Sequence, residues 1–151
     1  MPKHRKLIIV TDACCRIPAL PNGLMAGSGK AASAFVFLDL NRQVIYKQAL
    51  FLGQMTPPQA EYNGLINALD AAAEYCRYSL DIWLDSELVV KQLIGEYGLR
   101  SEPLKILYDQ VKGLEKRFLG AINYFHHSRG SYWARYVDKL ANEEYAKVQS
   151  G

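Results

Sequence analysis

The sequence predicts an α/β protein: a five-stranded mixed sheet, antiparallel through its first three strands and parallel in the last two, flanked by helices. Three observations lead there. Leu7–Thr11 and Leu80–Leu84 are short, nearly continuous apolar runs, the pattern of strands buried on both faces. Two further strand-like segments, Ala34–Leu40 and Val44–Leu52, are joined by the polar turn Asp39–Gln43 and so predict a hairpin. From Thr56 onward helical spacing alternates with strand patterns, which gives the element order βββαβααβα.

The helices have their own signals. Thr56-Pro57 places an N-cap residue before a proline at the first helical position, and Leu65, Leu69, Ala72, Ala73 and Cys76 then recur at helical spacing. Ser86 caps a short helix through Ile94. Ser101-Glu102-Pro103 opens a third, with Leu104, Leu107, Val111 and Leu114 on one stripe. Ala121–Phe125 is a last strand, and a final helix runs from about Ser131 to Val148. Trp83 alternates with Asp85 along its strand and is expected to be buried.

Composition narrows the class. The 151 residues are 50% hydrophobic and 11% aromatic, ample for one packed core and incompatible with a disordered chain. One domain over 1–151 is expected. No apolar run approaches a membrane span, and Leu7–Val10 is too short for a signal-peptide core. Three cysteines, Cys14, Cys15 and Cys76, form no CxxC spacing, so reduced thiols and a cytoplasmic location are expected. A monomer is the default expectation. The net charge is +3, and its distribution is uneven: Lys3, Arg5, Lys6 and Arg16 face only Asp12 in the first 16 residues. The remainder carries 14 basic and 14 acidic side chains, so the excess is one basic entry segment. Gly27-Ser28-Gly29-Lys30 resembles a phosphate-binding loop, but position 24 is Leu, Ala31 follows the lysine, and a strand comes next. A flexible turn is the expectation there.

Four acidic residues sit where solvation does not explain them. Asp12 and Asp85 each close an apolar strand, and in a parallel pair those ends share the sheet edge where open α/β sheets keep their sites. Glu61 precedes Leu65 and Leu69 by four and eight residues, which aims it along the buried helix stripe. Asp138 precedes Leu140-Ala141 in the final helix, at the edge of its packed face. Singly, a strand-end Asp is commonly a turn residue, and a first-turn Glu commonly complements the helix dipole. Together, like charges at one edge raise one another's pKa unless cations neutralise them. An all-oxygen set suits Mg²⁺ or Mn²⁺ rather than zinc. The combination favours a divalent-metal site.

Three segments carry a family pattern: Ala60-Glu61-Tyr62-Asn63-Gly64-Leu65, the run Leu84–Tyr97 (LDSELVVKQLIGEY), and Tyr136–Glu144 (YVDKLANEE). In order and register they resemble ribonuclease H type 1, in its compact bacterial, archaeal or retroelement-like branch, and the resemblance spans Leu7 to about Val148. It implies an RNase H-like fold and hydrolysis of the RNA strand of RNA/DNA hybrids, leaving 5′-phosphate and 3′-hydroxyl ends. It implies two bound Mg²⁺ ions, or Mn²⁺, held by Asp12, Glu61, Asp85 and Asp138, the four residues that position and burial already single out. By the same resemblance Asp12 bridges the ions, Glu61 reads a ribose 2′-OH, and Asp138 completes the shell on the nucleophile side. Substrate contacts are implied at Ala13, Cys14, Thr56 and Ser86, and His127, with His126 beside it, is the candidate for the mobile proton carrier that the resemblance implies.

The chain also departs from that pattern. Ala13 replaces the usual glycine after the first Asp, and Pro57-Pro58 replaces an asparagine pair that grips the hybrid's minor groove. His127 lies one residue too far from Asp138, with Ser128 in the usual place, and Ala134 occupies a position that is often Asn or Glu. Gly95–Pro103 is too short for the basic protrusion of some relatives, and no separate hybrid-binding domain is expected. Cys14 stands where DEDD exonucleases carry Glu, and Asp138 where integrase-like enzymes end in Glu. The other expectation left open is a non-catalytic or altered-specificity module binding hybrid or double-stranded RNA; retention of all four carboxylates weighs against it. With those four assigned to two divalent cations, 18 basic residues face 11 acids and the formal charge moves from +3 to +7.

Overall fold

In the computed structural model, which describes residues 2–127 and 130–150, β1 (His4–Arg16), β2 (Gly29–Leu38) and β3 (Val44–Met55) are followed by α1 (Pro57–Ala72), β4 (Cys76–Leu84), α2 (Glu87–Leu93), α3 (Glu102–Glu115), β5 (Ile122–His126) and α4 (Tyr132–Ser150). The order is the expected one. The strands form one sheet in the order β3-β2-β1-β4-β5, with β1 antiparallel to β2 and parallel to β4, and β4 parallel to β5. The most apolar strand, β1, therefore lies at the centre, buried on both faces as its continuous hydrophobic run requires.

Successive β1 side chains divide between two cores. Leu7 and Ile9 join Phe35, Phe37, Leu65, Leu69 and Leu80 beneath α1 and α3. Ile8 and Val10 face the other way and pack with Val36, Leu38 and Val137 beneath α4. Each such buried aliphatic side chain is worth roughly 1.5–3 kcal/mol relative to exposure. The buried Tyr62 hydroxyl donates to Gln92 Oε1 at 2.7 Å, tying α1 to α2. Gly64 lets α1 lie against the sheet, because a Cβ there would sit 3.0 Å from Ser33 Cβ.

Several boundaries differ from the sequence expectation. β1 continues past Thr11 to Arg16, and β2 begins at Gly29 rather than Ala34, since Asp12↔Ala34 through Arg16↔Lys30 prolong one antiparallel ladder. The phosphate-loop look-alike is therefore partly strand: Gly29 and Lys30 pair with Met55 and Gln54. Cys76 is buried as expected, but it opens β4 beside His4 instead of ending the helix. Trp83 is half-buried, stacked on Phe125 with ring centroids 4.6 Å apart. The caps are as predicted: Thr56 and Gln59 form a reciprocal capping box, and Ser86 and Ser101 accept from Val89 N and Leu104 N.

Candidate active site

Parallel pairing fixes the site. Thr11 is registered with Leu84, and Leu84 with His126, so Asp85 and His127 leave β4 and β5 at the level where Asp12 sits on β1, one residue past its last β4 partner. The Thr56 cap starts α1 so that Glu61 lies one turn in, and α4 brings Asp138 across the same edge. Asp12, Asp85 and Asp138 line a cleft of about 360 Å³ together with Cys14, Arg16 and Arg135.

One backbone donor organises two of the carboxylates. The Ala13 N–H donates to Asp12 Oδ1 at 2.8 Å and to Glu61 Oε1 at 3.1 Å. The donor is a backbone N–H, which the alanine side chain at position 13 leaves in place. Glu61 Oε2 is buried and has no hydrogen-bond partner among the described residues. Asp12, 6% exposed, has its carboxyl raised from an ordinary 3.8 to about 7, by burial first and then by the charges of Asp85 and Asp138. Burial, reinforced by Asp12, pushes Glu61 well above its usual range. The described residues do not close into a ligand cage of three or more groups. Even so, an orphaned carboxylate oxygen beside crowded like charges fits a hard divalent cation, whose field would restore ionisation.

Asp138 is exposed and held from its own helix: Asn142 Nδ2 donates to its carbonyl at 2.8 Å and to Oδ1 at 3.1 Å. Asn142 is held in turn by Arg16 Nη2 at 3.1 Å, whose guanidinium lies 4.5 Å from the Tyr145 ring centroid. Sequence reasoning missed Asn142, Arg16 and Arg135. The i,i+4 spacing of Asp138 and Asn142 was the one available signal.

The remaining expected residues fall as follows. Thr56 is half-buried with its hydroxyl engaged by Gln59 N, and Ser86 is half-buried beside Asp85. Cys14 lines the cleft; burial raises its thiol and that of Cys15, so neither is a thiolate at neutral pH. His127 is buried and lines a neighbouring pocket with Trp83 and Trp133 rather than the carboxylate cleft. Burial lowers its pKa against the opposing pull of Asp85. His126 is exposed, its Nε2 2.9 Å from the Asp85 carbonyl. Ser128 lies outside the described residues.

A five-stranded sheet in this order, with carboxylates converging where the β1–β4 pairing ends, defines the RNase H-like class. The family described as reverse transcriptase-like matches residues 21–144. A ribonuclease HI of Halobacterium salinarum is 31% identical over 105 residues, covering 69% of this chain and 53% of that protein. The chain spans a still smaller share, 25%, of its mycobacterial relatives. The crystal structure of an RNase H1 from the same halophile superposes with a TM-score of 0.82 at 26% identity, covering 94% of this chain and 98% of that one. The N-terminal RNase H domain of a Mycobacterium tuberculosis protein gives 0.81 at 30% identity, over 96% and 97%. The chain belongs to the ribonuclease H type 1 family. Among the described residues no helix is long and apolar enough to cross a membrane.

Proposed function

We propose that residues 1–151 supply a catalytic domain that hydrolyses the RNA strand of RNA/DNA hybrids, leaving 5′-phosphate and 3′-hydroxyl ends. The observation that carries it is the crowding of Asp12 and Glu61: two buried carboxylates on one backbone donor, one raised to about 7 and the other left with an unpartnered oxygen. Such a site favours divalent cations, and Asp12, Glu61, Asp85 and Asp138 would hold two Mg²⁺ or Mn²⁺ ions. Ions bound there supply an activated water and charge relief at the leaving 3′ oxygen.

The chain's own groups do the rest. Arg16 and Arg135, cations on the cleft wall, attract the scissile strand's phosphates, and Ala13 N–H keeps Asp12 and Glu61 aligned. Asn142 steadies Asp138 at the mouth. Thr56 and Ser86, each at a helix start, bear on the hybrid, as does Cys14 in the cleft lining. His127 lines the neighbouring pocket with its Nε2 buried and unpartnered, and it would carry a proton for the departing product only by turning from that pocket toward the cleft. Pro57-Pro58 offer no amide side chains, so minor-groove contacts there are fewer.

The test is a set of single carboxamide variants, Asp12→Asn, Glu61→Gln, Asp85→Asn and Asp138→Asn, assayed on hybrid, double-stranded RNA and single-stranded RNA. Each should bind hybrid in EDTA yet lose at least about 10²-fold in cleavage rate, on the scale of removing a charge-stabilising group. Normal turnover by the Asp12 or Asp85 variant would sink the assignment.

A further inference from the structure

The first part of the basic entry segment, before Arg16, lies away from the cleft and meets two other basic elements at the opposite end of the sheet. Here His4 and Arg5 at the start of β1, Arg77 and Tyr78 in β4, and Arg117 and Leu119 after α3 line a groove of about 580 Å³. No carboxylate lines it. The nearby acids are engaged or face elsewhere: Asp70 pairs with Arg117 at 3.0 Å, Asp81 with Lys6 at 2.9 Å, and Glu74 lines a separate hollow with Lys3. Arg5 and Arg77 are exposed, and among the described residues neither forms an ion pair; Arg77 Nε donates to the Ala73 carbonyl at 2.9 Å, which fixes the guanidinium at the groove.

The groove is built rather than incidental. Leu119 N donates to the Arg77 carbonyl at 2.8 Å and Gly120 N to the Tyr78 carbonyl at 2.7 Å, which fastens the connection after α3 to β4. Gly120 is required there, because a Cβ would lie 2.7 Å from Tyr78 Cδ1 and 2.9 Å from its carbonyl oxygen. The Arg5 guanidinium lies 4.6 Å from the Tyr78 ring centroid, while Tyr78 keeps 44% and Leu119 82% of their surfaces exposed. A cationic groove with an exposed aromatic and an apolar rim matches single-stranded nucleic acid, whose phosphates take the guanidiniums and whose bases stack.

We propose that this groove binds a single-stranded nucleic-acid segment, separately from the carboxylate cleft. Asp12 follows Arg5 by seven residue steps along β1, roughly 23 Å at about 3.3 Å per residue. The choice of nucleic acid over another polyanion rests on the ribonuclease H reading of the cleft. A strand flanking a hybrid, or a second nucleic-acid molecule, can then be held while the cleft is occupied.

Binding of a labelled 30-nucleotide single-stranded DNA is measured by anisotropy in EDTA across a salt series. The Arg5→Ala/Arg77→Ala variant should bind at least about tenfold more weakly at low salt, with the log K against log salt slope shallower by about 1.4 for two lost phosphate contacts. Arg5→Lys/Arg77→Lys should keep the slope, and both variants should cleave a short hybrid at the wild-type rate. Equal affinity and slope for the alanine variant and wild type would overturn the proposal, as would binding to phosphatidylserine vesicles without binding to the oligonucleotide. Oligonucleotide binding that depends on Arg5 and Arg77, without hybrid cleavage, would leave the groove standing and remove the catalytic reading. Cleavage with unaltered oligonucleotide binding would do the reverse.

Discussion

Replacing Asp12 by Asn removes one negative charge from the buried cluster while preserving shape and the acceptor for Ala13 N–H. The wild-type carboxyl rises from 3.8 to about 7 on folding, so between those values the folded chain keeps a proton that the unfolded chain has released. Stability of the metal-free protein therefore falls as pH rises through this window, and the full penalty applies above 7. Roughly three pH units correspond to a ceiling of about 4 kcal/mol. Relaxation of the neighbouring acids reduces this, and a gain of about 1–3 kcal/mol is expected in the variant. For a chain of this length that is a melting-temperature increase of roughly 3–10 °C. Thermal melts in EDTA at pH 8 and pH 5 measure it: the variant should melt higher at pH 8, with the gap narrowing at pH 5. A variant that melts below wild type at pH 8, or a gap indifferent to pH, would refute the reasoning.

Other consequences are equally open to measurement. Asn142→Ala frees the Asp138 carboxylate and should lower kcat about tenfold with KM nearly unchanged, since one hydrogen bond to a carboxylate, about 1.5 kcal/mol, is at stake; an effect on KM alone would remove its positioning role. His127→Gln should slow turnover by roughly 10²-fold, at the low end for a general acid–base group, and flatten the pH–rate profile between 5 and 8. An unchanged profile would make His127 a packing residue. Thr56→Ala should cost about 1 kcal/mol through loss of the α1 cap, while Thr56→Ser costs less; urea melts of both decide it.

The site was legible where short-range pattern determines position. Asp12 and Asp85 end apolar runs whose burial in the centre of the sheet was evident, and parallel pairing makes their ends coincide. Glu61 was legible from its spacing to Leu65 and Leu69, together with the Thr56 cap that starts the helix. What escaped was set by tertiary pairing. The half-exposed stretch Ala13–Arg16 is strand because Lys30–Ser33 lies opposite it, and no local preference announces that ladder. Asn142 and Arg16 are 126 residues apart and meet only when α4 crosses the sheet. The buried position of His127 follows from its bond to the Leu84 carbonyl, another contact distant in sequence.

The most direct measurement is cleavage of an RNA/DNA hybrid labelled separately on each strand, followed as Mg²⁺ or Mn²⁺ is added to wild-type protein. The proposal predicts metal-dependent cutting of the RNA alone, with 5′-phosphate on the downstream fragments and none after Asp12→Asn. Protein that binds the hybrid but leaves both strands intact with either metal would contradict it and make the chain a binding module.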